Sequence, residues 1–242
     1  MAKIDLKKSS GFALSLEQGE IVSSDLTHKM VKEVEIDTIR PQLLNQELSH
    51  PDKIYKKYYS LDNDDIFSSK GFTLNLYYIP PNLAGIEYIK TRATRSPNRN
   101  KIYEVWYGGG SMILQNYVGE TEDVIITKIR RDQKIVVPKD YAICFVNTRH
   151  SNLIVAEITP NDIRNNIVLD EMRGMAYYII RKNAKQEIVK NPLYKDVKAY
   201  RKMKWEDIVV DYGITLKTPI IKQILRKYEK FSWLFDNTAL EM

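Results

Sequence analysis

The sequence predicts an all-β fold, an antiparallel sandwich or barrel. Short apolar, β-branched and aromatic runs recur from Phe72 to Val189. Turn signals separate them: Pro80-Pro81-Asn82, Ser96-Pro97-Asn98, Gly108-Gly109-Gly110 and Pro138-Lys139-Asp140. Little helix-periodic sequence lies between the runs, which favours antiparallel pairing. At the centre is Tyr103 to Gln115, two apolar runs joined by three glycines, which predicts a tight hairpin.

Residues 1–66 read as an N-terminal arm that wraps a core. Within it Gly11 to Leu16 is a short strand, Thr38 to Glu47 is helix-like with Pro41 in its first turn, and Asn63-Asp64-Asp65 is a turn. Residues 67–195 read as the barrel. Strands are expected over Phe72–Ile79, Ile86–Arg92, Lys101–Tyr107, Ser111–Tyr117, Val124–Ile129, Lys134–Val137, Ala142–Asn147 and Leu153–Ile158. A late hairpin, Met175–Arg181 with Gln186–Val189, turns at Lys182-Asn183-Ala184. Residues 196–242 read as a helical extension. Lys204 to Tyr212 stops at Gly213, and Thr218-Pro219 opens a second helix. Ile221, Ile224, Leu225, Tyr228, Phe231 and Phe235 then share one helical face, to pack on the body or on a second subunit.

The totals bound the function. Hydrophobic content of 43% and charged content of 28% are those of an ordinary globular protein. No apolar run approaches a membrane span, and Met1 to Lys8 lacks the apolar centre of a secretory signal. With one cysteine, Cys144, no intramolecular disulfide forms, so the expected location is cytoplasmic. The net charge is +6, but basic and acidic residues interleave except in Lys90 to Lys101, so neither nucleic acid nor membrane is an expected partner. His28, His50 and His150 stand at no metal-binding spacing, and no CxxC, GxGxxG or GxxxxGK[ST] occurs.

The positive signal is the run Lys90, Arg92, Arg95, Arg99, Lys101. Strand alternation puts Lys90, Arg92 and Thr94 on one face, and Lys101, Tyr103 and Val105 on another. Such cations either hold a carboxylate or phosphate at a barrel mouth or face solvent.

From Ile102 to Gln115 the sequence resembles the cupin-type glucose-6-phosphate isomerases of archaea. The resemblance extends to Gly11-Phe12 … Gly19-Glu20-Ile21, Ile54-Tyr55-Lys56-Lys57-Tyr58, Ile135-Val136-Val137-Pro138 … Tyr141-Ala142, Gly174 to Ile180 and Asn191-Pro192-Leu193-Tyr194. It implies a cupin, a double-stranded β-helix or jelly-roll barrel, with the N-terminal arm and α-helical C-terminal extension added. It also implies aldose–ketose isomerisation at a divalent metal held by three His and a Glu. The matching positions here hold Arg92, Thr94, Lys101 and Ile143. Two cations and an isoleucine cannot ligate a divalent ion.

The expectation is therefore a metal-independent, isomerase-type enzyme for a sugar phosphate or other small anionic metabolite, with no cofactor. Tyr103, Glu104 and Lys101 are the expected catalytic groups. Arg92, Thr94, Arg95, Tyr58 and Tyr141 are the expected substrate-binding ones. The alternatives are a non-catalytic cupin binding an anion or a protein, or a metal held instead by His150 and Glu157. The expected assembly is a homodimer.

Overall fold

The period-two alternation is realised as two facing antiparallel sheets in the computed structural model, which describes residues 3–116, 123–163, 167–236 and 240. The barrel strands are β1 (Met30–Glu35), β2 (Lys53–Leu61), β3 (Phe72–Ile79), β4 (Thr94–Arg95), β5 (Lys101–Tyr107), β6 (Gly109–Asn116), β7 (Val124–Arg130), β8 (Lys134–Val137), β9 (Tyr141–Val146), β10 (Leu153–Pro160) and β11 (Ile167–Val168). One sheet runs β8-β5-β10-β3-β2-β1, the other β7-β6-β9-β4-β11. The order departs from sequence because neighbours cross between sheets, as in a jelly roll. Two strands of the first sheet, β1 and β2, come from the segment expected to wrap the core. Tyr117, expected to end β6, lies outside the described residues.

Alternation sorts each strand into an inner and an outer face. On β5, Tyr103 and Val105 enter the core between the sheets, while Ile102 and Trp106 face out. On β10, Leu153 and Val155 face in, while Ile154, Ala156 and Ile158 face out. The first sheet's outer face is covered by the N-terminal arm (Leu6, Phe12, Leu14, Leu16) and by the extension (Ile220, Ile221, Ile224, Phe231). The second sheet's outer face lies under the late hairpin, Tyr177–Lys182 with Lys185–Lys190, through Ile179, and under Tyr194 just after it. That hairpin turns through left-handed Asn183 and Ala184, where the sequence placed it.

Three expectations are corrected. The glycine run makes no hairpin: β5 pairs with β8 and β10, whereas β6 pairs with β7 and β9. Gly108 to Gly110 instead carry the chain from one sheet to the other through a gap that admits only backbone. A Cβ on Gly110 would stand 2.3 Å from the Val146 carbonyl oxygen. The helix-like segment Thr38 to Glu47 shrinks to Ile36–Ile39 and a 3-10 turn, Arg40–Gln42. Ile86 to Arg92 yields only a two-residue strand, Glu87–Tyr88, and a single bridge from Lys90 to Val146.

The extension is helical as expected, with α1 (Trp205–Asp211) ending before left-handed Gly213 and α2 (Ile220–Arg226) starting after Pro219. The apolar stripe is not one helix: the chain breaks at Lys227, and Phe231 and Phe235 belong to two further turns. Among the described residues no helix is long and apolar enough to cross a membrane.

Candidate active site

Four adjacent strands build a polar ladder on the inner face of the first sheet. Tyr103 on β5 stands opposite Glu157 on β10, Glu157 opposite Asn75 on β3, and Tyr77 on β3 opposite Lys57 on β2. Lys101 shares the Tyr103 face, one alternation away. The Glu157 carboxylate is the hub. Its Oε2 accepts from Lys57 Nζ at 2.8 Å, Asn75 Nδ2 at 3.0 Å and the Tyr77 hydroxyl at 3.3 Å. Its Oε1 accepts from the Tyr103 hydroxyl at 2.8 Å and lies 3.6 Å from Lys101 Nζ. Lys57 Nζ also donates to the Tyr77 oxygen at 2.6 Å. All six residues are buried, each less than 10% exposed as a whole.

Burial and charge set the protonation of this cluster. Burial alone would raise the Glu157 carboxyl, but Lys57 and Lys101 outweigh it and hold Glu157 well below the ordinary carboxylate range. Burial lowers the Lys101 ammonium; Glu157 opposes that and the like charge of Lys57 adds to it. Burial and the Glu157 charge push the Tyr77 and Tyr103 hydroxyls well above 10.0, so both stay protonated donors. The cluster thus sets an ionised carboxylate between two lysines and two protonated phenols, and burial makes the Lys101 ammonium easier to deprotonate.

Of the residues singled out in the sequence, Lys101 and Tyr103 meet here. Glu104 does not, because alternation turns it to the outer face. There it is opposite Lys134 on β8, with Oε1 at 2.9 Å from Lys134 Nζ, and its Oε2 accepts from the Ile220 amide at 3.1 Å. Tyr58 also faces out, donating to Glu20 at 2.8 Å and accepting from the Ile21 amide at 3.1 Å. Arg92 pairs with Asp170, and its amide donates to the Tyr55 hydroxyl at 3.5 Å. Arg95 pairs with Asp140 at 3.3 Å, Thr94 stands opposite Ile143, and the Tyr141 hydroxyl donates to Asp123 at 3.3 Å. These four lie on or beside β4 and the start of β9, in the second sheet, and the bonds they make to Asp170, Tyr55, Asp140 and Asp123 do not involve Glu157.

The basic run is not open. Lys90 pairs with Glu87, Arg92 with Asp170, Arg95 with Asp140, Arg99 with Asp162 and Lys101 with Glu157. Sequence reasoning missed Lys57, Asn75 and Tyr77, and it weighed Glu157 only as a metal ligand. One signal was available: Glu157 interrupts the apolar run Leu153 to Ile158, and Lys57 sits in phase with Tyr55 and Tyr59.

Around Glu157 the described residues offer one carboxylate beside two lysines, a donor set that does not fit a divalent metal. Among the described residues no three His, Cys, Asp or Glu side chains gather, and His150 is exposed while Glu157 is buried among lysines. Ile143, at the position the resemblance gives to a histidine, is packed in the core.

Two facing antiparallel sheets with jelly-roll crossing and a polar cluster between them define a cupin. The chain belongs to the glucose-6-phosphate isomerase family, whose model matches residues 44–198. No curated protein matches the chain. Among solved structures it is similar to oxalate decarboxylase from Bacillus subtilis at 18% identity and a TM-score of 0.38, covering 50% of this chain and 29% of that one. The formate complex of Lactobacillus farciminis oxalate decarboxylase is 16% identical with a TM-score of 0.39, covering 50% of this chain and 33% of that one. The chain thus spans about a third of the length of these structures.

Proposed function

We propose that this cupin is a metal-independent, isomerase-type enzyme acting on a sugar phosphate or a related anionic metabolite. The observation that supports it is the convergence of Lys57, Lys101, Tyr77, Tyr103 and Glu157 inside the barrel. Aldose–ketose isomerisation needs a base for the proton on the carbon next to the carbonyl, and donors for the oxyanion that forms. Lys101, its pKa lowered by burial, is the base that takes that proton and returns it to the neighbouring carbon. The protonated Tyr103 hydroxyl and the Lys57 ammonium stabilise the enediolate oxygens. Glu157 holds all three in place; a carboxylate stabilised so strongly is itself a weak base. Arg92 and Arg95, each half-buried, are the groups able to exchange their carboxylate partners for a substrate phosphate.

A second reading rests on the same hub. Glu157 already accepts from four side chains, and the cations of the basic run are each paired, which suits a cupin that binds without turnover. Incubating the protein with aldose and ketose phosphates in deuterated water separates the two. The enzymatic reading predicts NMR-detected exchange at the carbons beside the carbonyl, slowed at least about a hundredfold in Lys101→Met and Tyr103→Phe. Thermal stabilisation by a sugar phosphate with no exchange selects the second reading instead.

A further inference from the structure

A cleft of about 410 Å³ opens on the outer side of the first sheet, where Glu104 and Lys134 lie. It is lined by three stretches far apart in sequence: Lys8 and Ser9 from the arm, Glu104, Asp132 and Lys134 from the barrel, and Leu216, Lys217 and Pro219 from the extension. That volume falls in the range of small-molecule sites. Its floor is a buried ion pair, Glu104 with Lys134, and both side chains are no more than 2% exposed.

The charges around the cleft are unevenly committed. Glu104 is held by Lys134, by the Ile220 amide and by Trp106 Nε1 at 3.3 Å. Lys134 also donates to the Leu216 carbonyl at 2.8 Å and the Asp132 carbonyl at 3.3 Å. The Asp132 carboxylate accepts from the Ser9 hydroxyl at 2.6 Å, and that hydroxyl oxygen accepts from Arg131 Nε at 3.0 Å. Lys8 and Lys217, both exposed at its rim, form no ion pair among the described residues. The floor is a satisfied ion pair, Asp132 is engaged by Ser9, and the two charges without an ion pair among the described residues are ammoniums, one from the arm and one from the extension.

We propose that this cleft binds a small metabolite carrying at least two negative charges, phosphate or carboxylate, clasped between Lys8 and Lys217. A ligand there touches arm, barrel and extension together. It is a site distinct from the barrel interior and does not depend on isomerase chemistry.

The test uses the full chain with pyrophosphate and citrate as probes. Calorimetric titration is expected to give saturable binding of at least one probe. The double variant Lys8→Glu/Lys217→Glu, confirmed as folded by circular dichroism, is expected to weaken it tenfold or more. Lys101→Met is expected to bind as the parent does, with amide NMR shifts confined to Ser9, Lys134 and Leu216 to Lys217. No binding of either probe at millimolar concentration overturns the proposal. So does a loss smaller than tenfold in the double variant, or a loss of binding in Lys101→Met, which would place the anion in the barrel.

Discussion

Glu157 shows how much one side chain carries. It is a carboxylate in an apolar strand, and the two lysines beside it are tolerable only because it is ionised. Glu157→Gln keeps the shape but leaves two cations buried without a counter-charge, which should cost about 3–5 kcal/mol in denaturant unfolding. The pH dependence follows from the direction of its shift. A carboxylate depressed below 4.5 contributes stability that is complete above 4.5 and drains away as pH falls towards its folded value. The melting-temperature gap between the parent and Glu157→Gln should therefore be widest near neutral pH and narrow below about pH 4.5. A gap that stays constant from pH 7 to pH 3 would show that the ion pair contributes nothing.

At the scale of elements, the strands were legible and their partners were not. Phe72–Ile79, Lys101–Tyr107 and Lys134–Val137 fall where alternation and flanking turns put them, because both signals are local. The ladder from Tyr103 through Glu157 and Asn75 to Lys57 is set by pairing across four strands, and no local signal encodes that pairing. The distant acids that neutralise the basic run, Asp140, Asp162 and Asp170, are invisible for the same reason, whereas Glu87 lies only three residues before its partner Lys90. Glu104 differs: the alternation that put Lys101, Tyr103 and Val105 together already sent it to the other face. The three glycines misled because positive φ suits a turn, whereas here they serve close backbone approach. Gly108, at φ 74°, has the Asn152 carbonyl oxygen 2.0 Å from where a Cβ would stand, and Gly110 is pressed on Val146. Gly110→Ala should consequently destabilise by at least about 3 kcal/mol, measured by urea unfolding. A change below about 1 kcal/mol would mean the crossing has slack.

For the whole molecule, the question is whether the extension is an appendage or part of the core. Past residue 198 it lies outside the residues matched by the family, yet Ile214, Ile220, Ile221, Ile224, Phe231 and Leu234 are all buried in one cluster with Ile102, Trp106 and Ile158 of the barrel. Polar groups fasten it as well. The Ile220 amide donates to Glu104, Lys134 donates to the Leu216 carbonyl, and Asn100 Nδ2 donates to the Trp233 carbonyl at 2.9 Å. Each buried isoleucine or phenylalanine is worth about 1.5–3 kcal/mol against exposure, and Glu104 with Lys134 would face water once uncovered. A chain ending at Gly213 should therefore bind the dye ANS strongly and melt more than about 10 °C below the full chain. Melting within about 2 °C of the full chain, without dye binding, would make the extension an appendage. The apolar face of the sheet argues for the first outcome, because Ile102, Trp106, Val136, Ile154 and Ile158 form a continuous patch that a lone barrel would leave open to solvent.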